Sequence, residues 1–496
     1  MLIDCSRPPH PSACRLTPSP QGEGYLIQKG MFFMSDDKAK DSIWSQYTDI
    51  DKEALEKLSA GYIDFLSRCK TERESAAEAV ELAEKAGYRD LFAVLEAGEQ
   101  IKPGDKVYAV NMKKSVVLFN IGEEPLEKGM NILGAHIDTC RLDVKQNPLY
   151  EEGGLAYLDT HYYGGIKKYQ WVALPLALHG VVVKPSGEVV EICIGEDESD
   201  PVFCVTDLLI HLSQEQLKKA GAKVVEGESL DILVGNYPLK EGEKESVKAG
   251  VLKLIKDKYG LEEEDFQSAE LCLVPAGKAR ELGFDRSMVL AYGQDDRVCA
   301  YTSLMAMLET GKMRRTACCL LVDKEEIGSV GATGMQSRFF ENVVAELLAA
   351  MGQGSDLAVR RTLAGSKMLS SDVSSAFDAL YASSFDKKNV AYLGKGMVFN
   401  KFTGARGKSG SNDANAEYLG EIRGIMKKHN VHFQLAELGK VDLGGGGTIA
   451  YIMSLYGMQV IDSGVGVLSM HAPWEATSKV DIYEVWKGYQ AFLVEA

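Results

Sequence analysis

Two adjacent glutamates, Glu325 and Glu326, end the segment Leu320-Leu321-Val322-Asp323-Lys324-Glu325-Glu326-Ile327-Gly328-Ser329. Neighbouring side chains leave one backbone in different directions. One carboxylate can therefore hold a metal ion while the other moves a proton. Taken alone, two glutamates in a solvated turn are ordinary. Here, however, other acids and histidines occupy similar places after apolar runs. They are His136 and Asp138 in Gly134-Ala135-His136-Ile137-Asp138, Asp295 and Asp296 in Gln294-Asp295-Asp296-Arg297, Asp372 after Ser371, and His471 after Met470. Several strand ends carrying such groups suggest one site at the carboxyl edge of a sheet. His136 and Asp138 are two residues apart, so an extended chain puts them on one side. Asp138 can then orient His136 or raise its basicity as a ligand. Asp378 is the alternative acid close to Asp372.

The elements that must position these groups are legible as apolar runs. Residues 317–322 are uniformly apolar, as in a strand buried on both faces, and glycines 328, 331 and 334 follow. Residues 107–110, 116–119 and 131–135 also read as strands, and 460–462 and 465–468 as late ones. Residues 40–99 read as helical, with a capping box at Thr71 and Glu74 and a break at Gly87. Further helices are expected over 298–308, 339–351, 416–426 and 482–493. Asp295 and Asp296 precede the first of these, where a helix start favours carboxylates even without metal. From 142 to 284 the texture becomes β-rich, with turns at Gly164-Gly165 and Gly187, which suggests a smaller inserted domain. Within it, 207–212 reads as helical or extended, and 239–268 as a solvated flap and helix. Gly444 to Gly447 fit neither a dinucleotide fingerprint nor a phosphate loop. Their expected use is a close approach of backbone to the site.

Composition narrows the class. The chain has 496 residues, enough for two or more domains. Acidic residues number 71 and basic residues 55, a formal charge of −16, which argues against nucleic-acid or anionic-membrane partners. The ten cysteines lack close metal-binding spacing and suit buried, reduced thiols in a cytoplasmic protein. No run of about 18 apolar residues suggests a membrane span. Residues 1–33 are proline-rich and precede Met34-Ser35-Asp36-Asp37-Lys38, which reads like a natural start. They are expected to be an upstream extension or a disordered arm.

The ordered set Gly-Ala-His-Ile-Asp-Thr at His136, Gln-Asp-Asp-Arg at Asp295, Asp-Lys-Glu-Glu-Ile-Gly-Ser at Glu325, Ser-Asp-Val-Ser-Ser at Asp372 and Ser-Met-His-Ala-Pro-Trp-Glu at His471 resembles the M18 metallopeptidases of the aspartyl aminopeptidase and aminopeptidase I type. The resemblance covers most of residues 45–490. It implies an α/β fold, a three-layer α/β/α zinc-peptidase-like catalytic domain from 34–141 plus 285–496, interrupted by a β-rich dimerisation domain over 142–284. It also implies two divalent ions, zinc by preference with cobalt or manganese as alternatives. Asp295 would bridge them, His136 and Asp372 would complete one position, and Glu326 and His471 the other. Glu325 would be the general base, and Asp138 would support His136. Substrates would be peptides with free amino termini, and the assembly a homo-oligomer, a dodecamer built from dimers.

Departures from the family pattern at Lys167, Lys168, Asn400 and Lys401 point to a neutral, hydrophobic or broad first-residue preference instead of a strictly acidic one. His161, His179 and His211 are candidate oxyanion or interface groups. Two other functions share this pattern: a related amidohydrolase acting on N-acylated amino acids, and an inactive assembly protein.

Overall fold

A computed structural model describes residues 42–404 and 406–496. The proline-rich segment 1–33 lies outside the described residues. A nine-stranded sheet forms the centre, in the order Arg89–Asp90, Lys106–Asn111, Ser115–Asn120, Ala317–Val322, Asn131–His136, Lys367–Ser371, Gln459–Gly464, Met397–Asn400 and Phe433–Ala436. The four strands starting at Ala317, Asn131, Lys367 and Gln459 run parallel as neighbours. Their uniform apolarity has a direct cause, since alternate residues enter two different cores. Leu133, Cys319, Leu321, Leu369 and Ile461 pack on one face, and Ile132, Cys318, Leu320, Met368 and Val460 on the other. Helices Asp49–Arg68, Gln294–Leu308, Ala416–Lys428 and Lys479–Glu495 cover the first face. Helices Phe339–Ala350, Asp356–Ala364 and Ala450–Ser454 cover the second. The molecule is thus a three-layer α/β/α fold around a doubly covered sheet.

Local signals explain the helix ends. Thr71 accepts from the Glu74 amide at 3.2 Å, while the Glu74 carboxylate accepts from the Thr71 amide at 2.9 Å. This reciprocal cap starts helix Glu72–Lys85 and is worth about 1 kcal/mol. Gly87, at φ 84°, lies just beyond its end.

A second, seven-stranded sheet is drawn from the chain between Arg141 and Pro275 and has its own apolar core around Leu142, Trp171, Leu176 and Leu273. Its helix, Ser246–Tyr259, starts where Glu151 accepts from the amides of Val247 and Lys248. The segment 207–212, expected to be regular, holds only a short 3-10 turn at Ile210–Leu212, and Leu208, Leu209, Ile210 and Leu212 are all exposed. Among the described residues, a regular helix there has no neighbour to bury its apolar side chains.

A third sheet joins Arg280–Leu282, Met288–Ala291, Glu475–Ser478, Gly466–Leu468 and Ser374–Ser375. It brings residues nearly two hundred positions apart to the same edge of the central sheet.

Candidate metal centre

Register places the first groups. Val322 lies beside His136 in the parallel ladder, and Ser370 beside Gly134. The chain therefore leaves three adjacent parallel strands at one edge, carrying His136, the Glu325–Glu326 turn and Asp372. This is the carboxyl edge at which open α/β sheets present ligand sites.

His136 is buried and its two ring nitrogens face different ways. Nδ1 lies 3.0 Å from the carbonyl oxygen of Asp138, which assigns the proton to Nδ1 and leaves Nε2 as a lone-pair donor. Nε2 is 3.2 Å from Oδ1 of Asp295 and 3.9 Å from Oδ1 of Asp372. His471 reaches the same aspartate from the opposite side: its Nε2 is 3.2 Å from Oδ2 of Asp295 and 3.4 Å from Oε2 of Glu326. The Nδ1 of His471 is held 3.0 Å from the carbonyl of Gly165. The two oxygens of Asp295 thus face two imidazoles, one in each half of the site.

The paired glutamates diverge as their sequence suggested. Glu326 faces His471, whereas Oε2 of Glu325 lies 3.9 Å from Nε2 of His136. Their turn is set by Lys324 and Gly328, both in the left-handed region at φ 71° and 93°. Asp138 does more than orient His136. Its fully buried carboxylate accepts from the amides of Glu325 at 3.1 Å and Glu326 at 3.2 Å, and from the Tyr163 hydroxyl at 2.8 Å. One aspartate therefore fixes the histidine through its carbonyl and both glutamates through its side chain.

The electrostatics suit cations. Burial, reinforced by the charge of Asp295, pushes Glu325 up to about 7 and Glu326 up to about 8. Burial and the neighbouring aspartates push Asp372 well above the usual carboxylate range. Burial also works against the charge of Asp295, yet the imidazoles of His136 and His471 beside it hold it below that range. One oxygen of Glu326 is buried without a hydrogen-bond partner among the described residues. Donor atoms of His136, Asp295 and Asp372 form one group within 4.8 Å, and those of Cys140, Glu326 and His471 form a second. Nitrogen and oxygen donors in two adjoining groups, with a carboxylate between them, fit divalent transition metals.

Cys140 is a member that sequence reasoning missed, having been counted among buried structural thiols. Its sulfur would lie 2.5 Å from a Cβ at position 164, and Gly164, at φ 79°, leaves the necessary room. Glu475, four residues after His471, is a second missed group, buried against the site. The other histidines lie elsewhere. His179 is buried between Glu74 at 2.7 Å and Glu196 at 3.1 Å; against the cost of burial, these contacts raise it to about 11. It ties helix Glu72–Lys85 to the seven-stranded sheet. His161 contacts the Tyr162 carbonyl, and His211 sits in the exposed turn. Asp378 accepts from the Leu380 amide and does not line the site cavity.

That cavity, about 460 Å³, opens beside Asp295, Glu325, Glu326, Asp372 and His471. Asn400, Thr403, Leu438, Thr448, Tyr451 and Met470 form its farther wall, and no lysine or arginine among the described residues lines it. Lys401 pairs with Asp413 instead, and Lys168 reaches the Ala222 carbonyl. Glycines 445–447 line the cavity as expected. The tight approach belongs to Gly444, where a Cβ would meet the Leu438 carbonyl oxygen at 1.7 Å.

The chain matches the family model described as aminopeptidase I zinc metalloprotease (M18) over residues 65–493. It is 59% identical over 451 residues to a probable M18 family aminopeptidase 1 of Clostridium acetobutylicum, covering 91% of this chain and 97% of the relative. The crystal structure of aminopeptidase I from that organism superposes with a TM-score of 0.86 at 57% identity, covering 91% of this chain and 98% of the other. An M18 aminopeptidase structure from Thermotoga maritima gives 0.88 at 40% identity, covering 92% and 99%. The dodecamer structure of S. cerevisiae mApe1 shares the fold at a TM-score of 0.70 and 20% identity, covering 90% and 96%. With its central sheet, its paired donor groups and this extent of identity, the chain belongs to the M18 family of metal-dependent aminopeptidases.

Proposed function

We propose that this aminopeptidase works with two divalent ions, zinc by preference, held by His136 and Asp372 on one side, Glu326 and His471 on the other, and Asp295 between. The observation that carries this reading is the placement of the two Asp295 oxygens, each 3.2 Å from a different imidazole. Ions bound there would supply an acidified water and polarise the scissile carbonyl. The rest is work for the chain's own groups. Glu325 is the base that takes a proton from the attacking water and returns it to the leaving amine. Asp138 holds that glutamate's backbone in place through the contact at its amide. The free amino terminus of the substrate lies at the acidic edge of the cavity, among Glu326, Asp372 and Asp295, which restricts cleavage to the first residue.

The wall of Asn400, Thr403, Leu438, Tyr451 and Met470 supports a neutral or hydrophobic first side chain. A carboxylate placed there meets no cationic side chain among the described residues and loses its hydration. Matched short peptides beginning with Leu, Met, Asp or Glu test this. Leu and Met peptides are expected to be cleaved at least as efficiently as the acidic ones, and acetylation of the amino terminus should abolish cleavage. A strong preference for Asp or Glu would overturn the neutral pocket. Faster cleavage of acetylated substrates would favour an amidohydrolase acting on N-acylated amino acids.

The inserted segment 142–284 is proposed to make the dimer contact of a larger closed oligomer, a dodecamer like that of the yeast relative. The exposed Leu208, Leu209, Ile210 and Leu212, 46–68% accessible within one protomer, support an association surface on this segment. Light scattering on purified protein should give a mass of many protomers, and a monomer would reject the proposal. A cytoplasmic location suits the eight described cysteines, all free. No described helix is long and apolar enough to cross a membrane.

A further inference from the structure

Asp295 and His471 come from segments that do not share a strand of the central sheet, yet their side chains must meet to within about 0.5 Å of a working geometry. Their backbones have a common partner. Glu475 is 1% exposed, and its carboxylate oxygens are divided between two amides: Oε2 accepts from Asp295 N at 3.0 Å, and Oε1 from His471 N at 2.7 Å. Both amides need such an acceptor. Asp295 lies at the start of its helix with non-helical φ and ψ of −80° and 109°, so its N–H has no place in the helix ladder. His471 sits in a turn at φ 64° and likewise makes no ladder bond there.

Glu475 is itself fixed at its backbone. It opens strand Glu475–Ser478, paired in register with Ala291. Its carbonyl accepts from Nε2 of Gln294 at 2.6 Å, and Oε1 of that glutamine accepts from the Tyr62 hydroxyl at 3.2 Å. Among the described residues the carboxylate contacts neither lysine nor arginine, so no ion pair there accounts for its burial. The two amides do.

We infer that Glu475 is a positioning residue: by holding the Asp295 and His471 amides on one carboxylate, it sets the separation of the bridging aspartate and the late histidine and so tunes ion affinity. This rests on the two-ion reading above. Buried carboxylates that orient ligands in this way affect metal affinity by about 10- to 100-fold in other sites. Here the effect should be largest for the ion at Glu326 and His471, because both displaced groups serve that position.

Glu475→Gln keeps the size but leaves one acceptor oxygen and turns an amide N–H₂ toward an N–H. Zinc binding to metal-free protein is measured by calorimetric titration, alongside the thermal midpoint with and without zinc. In Glu475→Gln the weaker ion should bind at least about tenfold less tightly, and the rise in midpoint on adding zinc should shrink. Raising zinc should restore part of the lost kcat, with KM little changed. Glu475→Asp keeps the charge but reaches only one amide, and should lose affinity too. A merely structural role would lower the metal-free midpoint while leaving the zinc-induced rise and both affinities intact, and that result would overturn the inference. Should Glu475→Gln fail to fold, unchanged zinc affinities in Glu475→Asp would overturn it equally. A wild-type chain that takes up only one ion would instead reject the two-ion reading.

Discussion

Asp295→Ala should empty both ion positions. The carboxylate it removes faces His136 through one oxygen and His471 through the other. Each position then keeps two candidate protein donors from the proposed set, and the shared negative charge that offsets two cations is gone. The four remaining donors also lose their spacer, because the imidazoles no longer have a common carboxylate between them. Affinity should fall by more than about 100-fold at each position, beyond the loss seen when only an orienting group is removed. Metal analysis of the folded, assembled variant after gel filtration is the direct check. A variant that holds two ions per chain at wild-type affinity would remove Asp295 from the bridging role.

Glu325→Gln should separate chemistry from binding. Glutamine has the shape of the glutamate but cannot accept the proton of the attacking water. The contact between the Glu325 amide and Asp138 is a backbone contact and survives the change. Glu326, His471, Asp372 and His136 are untouched, so two ions should remain. Turnover at saturating metal should fall by about 10²- to 10⁴-fold, with KM altered far less. Near-normal turnover would place the base elsewhere, although Asp378, the other acid considered, caps a turn outside the cavity.

The parts of the site that sequence reveals are those carried by strand ends. An all-apolar run such as Ala317–Val322 declares a strand covered on both faces, and the charged residues that stop it must lie at the sheet's edge. Five candidate ligands, together with Glu325 and Asp138, were therefore visible in order along the chain. Cys140 and Glu475 were not, because their contacts depend on folding at long range. Cys140 meets a histidine more than three hundred residues later, across the turn that Gly164 permits. Glu475 acts through two backbone amides, and an amide leaves no signature in sequence. Residues 207–212, read as helical or extended, form only the short turn Ile210–Leu212, and no described part of the protomer buries their leucines.

The third sheet has a consequence for how the enzyme comes into being. Asp295 is set in place through Met288–Ala291, whose partner, Glu475–Ser478, is made much later. His471 lies just before that partner strand. Synthesis thus delivers His136, Asp295, Glu326 and Asp372 of the proposed set long before His471 and the strand that aligns the helix start. On the proposed ligand set, a nascent chain halted between Asp372 and His471 carries four of the five donors but cannot close the site. The fold acts as a built-in delay, because hydrolytic power arrives only with long-range pairing near the end of translation.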